Sequence, residues 1–203
     1  MKIDGFEFFI NSFYSGNEID LSFVSPFQAR KFSMLDKVAI SALNKCYALN
    51  EDINLVFGST HGQFDRLQKL TRQFLTDNEV SPMGFSASVH NNTIGVFSLL
   101  KENNSPYTAI SAGNHTVSAT LCEAISQLAE VDSVLLCCAD YFGEQNIAAA
   151  LKLSKFPDEN AIKVRFKSVS QNIFGDEYAS LNEFLNGGKV FDANYFRLEK
   201  IDD

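Results

Sequence analysis

Three observations predict a layered α/β domain with a mainly parallel sheet. Short apolar or β-branched runs alternate with segments whose apolar residues recur every three or four positions, the pattern of βα alternation. Residues 133–139 form an unbroken apolar run, as expected of a strand covered by helices on both faces. Residues 107–112 are strand-like and turn at Gly113 into a helical pattern, a junction of the kind that carries chemistry in α/β proteins.

Each element follows in order. Residues 6–14 are rich in aromatic and β-branched types and predict a strand, at an edge or an interface. Ser25-Pro26 is a cap followed by proline in a first turn, a good helix start. Leu35, Val38, Ala39, Ala42, Leu43 and Cys46 continue it as an amphipathic helix. Residues 53–57 are a short buried strand, ended by Gly58-Ser-Thr-His-Gly62. Phe64, Leu67, Leu70, Phe74 and Leu75 then form the apolar face of a second helix. Ser81-Pro82 opens a loop, and residues 88–100 are helical in spacing. Residues 107–112 predict a strand, 116–128 a helix and 133–139 a strand. Beyond these the pattern is less regular: 147–153 helix, 161–167 strand, 181–185 short helix, and an extended piece after Gly187-Gly188.

The 203 residues are 45% hydrophobic, enough for an ordinary core in one domain. Phenylalanine is frequent, at 19 residues, which both fills a core and marks an apolar surface awaiting a partner. The net charge of −8 argues against nucleic acid and anionic membrane, which need basic patches. The densest basic cluster, Arg66, Lys69 and Arg72, is a solvated helix flank on one reading and an acidic partner's site on the other. No secretory signal and no apolar run of membrane-spanning length is present, which predicts a cytoplasmic location. Cys46, Cys122, Cys137 and Cys138 lack metal-ligand or CxxC spacing and predict small core residues.

Gly58-Ser-Thr-His-Gly62 lacks the lysine of a phosphate loop, and no GxSxG elbow occurs. His61, His90 and His115 show none of the close pairings of metal sites, so neither metal nor cofactor is expected. His115 at a helix N-terminus could serve as a general base, but no triad accompanies it. Asn114 suits a helix start through its side-chain carbonyl and is neither nucleophile nor base.

Ser81-Pro-Met-Gly-Phe-Ser-Ala-Ser-Val-His-Asn91, Gly95 and Ser105-Pro-Tyr-Thr-Ala-Ile-Ser-Ala-Gly113 together resemble the N-terminal half of β-ketoacyl synthases. Ser59-Thr-His-Gly62 and Leu121-Cys-Glu-Ala124 resemble the short synthase-like proteins known as chain-length factors of aryl polyene clusters. The resemblance covers about residues 5–154, with 155–203 as an extension of a single domain over 1–203. It implies a thiolase-like half-fold with a mostly parallel mixed sheet covered by helices. The synthase cysteine position falls on Asn114, beside Gly113 and His115, with His90 and Asn91 as further pocket candidates. The histidines of the synthases' second half have no counterpart here.

The resemblance further implies a non-catalytic subunit that heterodimerises with an active β-ketoacyl synthase and helps set acyl or polyene chain length. Tyr107, Thr108, Ala109, Ile110, Ser111 and Ala112 would form the interface strand. Phe85, Ser88 and Val89 would lie beside the partner's tunnel. A lone half-fold should leave an apolar face and a strand edge uncovered for that partner. An acidic acyl carrier protein would be directed to the partner by like-charge repulsion. The alternatives are an acyl-thioester hydrolase or decarboxylase using His115 or His90, and a homodimeric scaffold that binds acyl chains.

Overall fold

The structure, a computed structural model, describes residues 4–143, 145–170, 173 and 175–201. Its first strand, β1 (Glu7–Gly16), alternates Phe8 and Ile10 into the core and carries a register shift between Ile10 and Ser12. Ser25 caps only one turn, α1 (Pro26–Ala29). The long amphipathic pattern starts again at Ser33, which exchanges hydrogen bonds with Asp36 in a capping box opening α2 (Met34–Cys46). Two caps eight residues apart make two helices of what the apolar spacing joined into one.

After β2 (Asn54–Gly58) come α3 (Phe64–Asp77), α4 (Pro82–Ser86) and α5 (Asn92–Lys101). Ser81-Pro82 therefore opens a short helix, with Ser81 Oγ accepting from the Gly84 amide at 3.2 Å. Next are β3 (Tyr107–Ile110), a single 3-10 turn (Gly113–His115), α6 (Thr116–Gln127) and β4 (Ser133–Phe142). The chain closes with β5 (Gln145–Ser154), β6 (Ile162–Ser168), α7 (Glu177–Leu185), β7 (Val190–Asp192) and β8 (Phe196–Lys200).

All eight strands join one mixed sheet in the order β3-β2-β4-β5-β1-β6-β8-β7. The α/β layering is as expected, but the strand directions correct the sequence reading. Only β2 with β3 and β2 with β4 are parallel, and the other five neighbouring pairs are antiparallel. Among strands that lie side by side, helical crossovers, which parallel pairing requires, serve only the β3-β2-β4 group. A tight turn at Gly143, with φ +66°, folds β4 back on β5 instead. β1 lies between β5 and β6, so it is neither an edge nor an interface strand.

Residues 147–153, expected as helix, are the middle of β5. Ala148 and Ala150 face α2 while Ala149, Leu151 and Leu153 face the α6–α7 side. Alanine favours a helix locally, but a strand pressed between two helical layers needs small side chains, and burial decides. One core lies under α6 and α7 and includes Phe166, Phe184, Phe191 and Phe196. The other lies under α2 and α5, around Leu43, Phe57 and Phe97.

The expected apolar face behind the half-fold is thus covered by the chain itself, through α7 and β6–β8. Uncovered apolar area lies elsewhere. Of the five apolar residues of α3, only Leu70 is buried, and Phe64, Leu67, Phe74 and Leu75 are exposed. Cys46, Cys137 and Cys138 are core residues, but Cys122 lies on the exposed side of α6 and does not fit that expectation.

Candidate functional site

The carboxyl ends of the parallel strands β2, β3 and β4 meet at the turn into α6, where α/β sheets place ligands. Gly113, at φ +58°, supplies the left-handed residue that turns the chain. Thr116 then ties the junction: its hydroxyl donates to the Gly113 carbonyl at 2.7 Å and accepts from the Ala112 amide at 3.0 Å. α6 can approach the strands closely because Gly58 ends β2. A Cβ there would stand 2.0 Å from Thr120 Oγ1.

A cavity of about 690 Å³ opens at this turn, lined by Thr60, His61, Asn114, Asp140, Glu177 and Tyr178 among others. Asp140, at the end of β4, is a buried acceptor. It takes hydrogen bonds from Ser59 Oγ at 2.8 Å, the amides of Thr60 at 3.0 Å and His61 at 2.9 Å, and the Tyr178 hydroxyl at 2.9 Å. Burial, reinforced by nearby negative groups, pushes the Tyr178 phenol far above its ordinary value, so it remains a neutral donor. His61 stacks on Phe142 with ring centroids 4.7 Å apart, and its Nδ1 is 3.4 Å from Asp140.

Glu177, in the first turn of α7, caps α6 from outside by accepting from the Ser118 amide at 2.9 Å and from the Ser118 hydroxyl. Asn114 therefore does not cap α6: it lies in the 3-10 turn, exposed at the cavity wall. His115 Nδ1 donates to Glu177 at 3.3 Å, while its Nε2 accepts from Asn194 Nδ2 at 3.3 Å. Both ring nitrogens are thereby engaged by one neutral tautomer.

His90 lies apart from this cavity. Its Nε2 donates to the Ile110 carbonyl at 3.0 Å, and its Nδ1 would be 2.6 Å from a Cβ on Gly62. It fastens the α4–α5 segment to β3. Asn91, Val89 and Tyr107 line a second, shallow groove of about 370 Å³ beside Leu99. Ser88 donates to the Phe85 carbonyl at 2.7 Å, and Ser111 to the Thr60 carbonyl at 3.3 Å. Thr108, Ala109 and Ile110 pair with Val56, Phe57 and Gly58 on one side only, because β3 ends the sheet. The sequence candidates thus divide between the cavity and an outer flank.

Along that flank, Phe85, Val89 and Tyr107 are exposed apolar side chains. Ten of the eighteen large hydrophobic side chains exposed among the described residues lie between Phe64 and Tyr107, including Leu75 at 78% and Leu99 at 81%. This is a concentration along one stretch of the chain, unlike exposed side chains scattered singly.

Chemically, the cavity wall carries Asp140, Asp176 and Glu177 and, among the described residues, neither cysteine, lysine nor arginine. Its carboxylates and hydroxyls can hydrogen-bond a polar group. Sequence reasoning missed Asp140 and Glu177. Asp140 had a signal: a charged residue directly after the apolar run of residues 133–139. Glu177 had none, since its role depends on α7 meeting α6. Among the described residues no group of three or more His, Cys, Asp or Glu is placed to hold a metal ion. No helix among them is long and apolar enough to cross a membrane.

Residues 11–170 match the family model described as β-ketoacyl synthase, N-terminal domain. The chain belongs to that family. Its fold is similar to a solved structure of a ketosynthase (ApeO) in complex with its chain length factor (ApeC) from Xenorhabdus doucetiae. The TM-score is 0.75 at 16% identity, over 97% of this chain and 100% of the matched one. The ishigamide ketosynthase/chain length factor matches at TM-score 0.59 and 15% identity over 72% of this chain, and a β-ketoacyl synthase from Burkholderia phymatum STM815 at 0.56 and 12% over 70%. The chain spans about half the length of these last two, at 52% and 46% of the matched chains. At these identities the likeness is one of fold. A search of the curated proteins found no match.

Proposed function

We propose that this β-ketoacyl synthase family member is a non-catalytic subunit resembling a chain length factor. As a single domain over residues 1–203, it heterodimerises with an active ketosynthase in the cytoplasm. There it stabilises that enzyme and helps set chain length in fatty acid or polyketide synthesis of the aryl polyene type. The observation that carries this reading is the elbow itself: the turn into α6 presents Asn114 to a cavity without a thiol. The exposed apolar flank along α3, α4, α5 and β3 supports the partner. An edge strand with apolar neighbours suits antiparallel pairing with a mate strand and burial of the surrounding side chains. The acyl carrier protein would deliver to the partner, away from the acidic elbow cavity.

Co-expression with a candidate synthase followed by size-exclusion chromatography tests the reading. A single co-eluting peak at micromolar concentration is expected, and Leu75→Asp with Leu99→Asp should weaken association at least about tenfold. Their melting temperatures should stay unchanged, because both side chains are solvent-exposed. Two separate peaks with every synthase from the same gene neighbourhood would remove the proposal. Purified chain should turn over no acyl thioester, and His115→Ala should leave that blank unchanged.

A further inference from the structure

A groove of about 420 Å³ lies where the residues after α1, the first turn of α2 and α3 converge, and Lys31, Lys37, Arg66 and Lys69 line it. In a chain of net charge −8 this is a local reversal of sign. Several cations elsewhere are neutralised: Lys152 pairs with Glu51, Lys167 with Glu199, and Arg197 with Asp192. Lys37 and Lys69, by contrast, have no carboxylate partner among the described residues. Among the described residues the Lys31 ammonium has the Phe27 ring, 4.3 Å from its Nζ, and no carboxylate.

Arg66 is held at 3.0 Å by the buried Asp36, and Asp65 is the acidic side chain in the wall. Four cations against these two carboxylates leave the groove with a net charge of about +2. Cationic groups from separate elements that outnumber the carboxylates beside them repel one another until an anion joins them.

We infer that this groove binds a phosphate monoester, an assignment independent of the ketosynthase reading. A monoester carries about −1.5 to −2 charges near neutrality, matching the groove's excess, and three strong acceptor oxygens for freely rotating ammonium donors. The volume falls at the lower end of small-molecule sites. Tyr141 gives the wall an aromatic side, so an organic monoester should bind better than inorganic phosphate.

Isothermal titration of the full chain with phenyl phosphate, inorganic phosphate and vesicles containing phosphatidic acid tests this. Phenyl phosphate should bind with a sub-millimolar Kd, raise the melting temperature and exceed inorganic phosphate in affinity. The double variant Lys37→Ala, Lys69→Ala should weaken binding at least about tenfold, whereas Lys167→Ala should not change it. If the alanine pair alters the ligand-free melting temperature, Lys37→Gln with Lys69→Gln gives the same comparison with side-chain length retained. Absence of binding at millimolar ligand, equal binding by the double variant, or binding confined to vesicles would each overturn the assignment.

Discussion

Replacing Asp36 with asparagine should loosen the helical layer that carries the exposed apolar flank. The carboxylate is 1% exposed and joins three helices. Its Oδ2 accepts from the Ser33 amide at 2.9 Å and from Arg66 Nη2 at 3.0 Å. Its Oδ1 accepts from Gln63 Nε2 at 2.7 Å, Thr93 Oγ1 at 2.7 Å and Asn92 Nδ2 at 3.3 Å. Asparagine retains Oδ1 but puts an NH₂ group where Oδ2 was, facing two donors. Removing one partner of a buried pair costs about 3–5 kcal/mol, and each buried donor left unmatched about 1–3. The Arg66 side chain is 20% exposed, so water can solvate part of its orphaned charge. We therefore expect the low end, about 3 kcal/mol. In a domain of this size that lowers Tm by roughly 6–12 °C. Urea denaturation monitored by circular dichroism, with Arg66→Met as the second arm of a double-mutant cycle, measures both the loss and the coupling. A loss below about 1 kcal/mol, or additive single effects, would show that the knot does not hold these helices.

Two further outcomes follow from the packing. Gly58→Ala puts a methyl group 2.0 Å from Thr120 Oγ1 and should destabilise the protein by about 1–3 kcal/mol in chemical denaturation. Adding Thr120→Ala should recover only part of this, because the Thr120 Cβ itself would stand at 3.0 Å. Burial pushes the thiols of Cys46 and Cys138 up to about 11 and about 12 from an ordinary value near 9, and raises Cys137 in the same direction. Above pH 9 the unfolded chain releases these protons while the native chain keeps them. Their contribution is therefore complete below pH 9 and is lost as pH rises towards 11 and 12, by about 1.4 kcal/mol per pH unit for each thiol. Denaturation midpoints between pH 8 and 10.5 should fall, and Cys46→Ala with Cys138→Ala should flatten that fall.

Much of the fold was legible where local and tertiary demands agree. The periodic apolar residues of α2 and α6 and the continuous run of β4 need no more than burial to become what they are. The turn at Gly113 was legible too, since few residues other than glycine accept φ +58° without strain. β5 was not, because Ala148, Ala149 and Ala150 favour a helix in isolation and become strand only between β4 and β1. The α3 stripe misled for the opposite reason. Phe64, Leu67, Phe74 and Leu75 have the spacing of a core face, and spacing does not say whether a helix's apolar side meets the same chain.

The candidate site divides in the same way. Residue order alone placed Asn114 at the elbow, gave His115 as its neighbour and excluded a thiol at that position. Only the folded chain brought Asp140 to the Tyr178 hydroxyl, Glu177 to the start of α6, and Asp36 to Gln63, Arg66 and Thr93. These partners are 27 to 59 residues apart in the sequence. A carboxylate's local sequence shows its charge but not its donors. Desolvation forces each buried charge to find donors, and which ones it finds is settled when helices and strands pack.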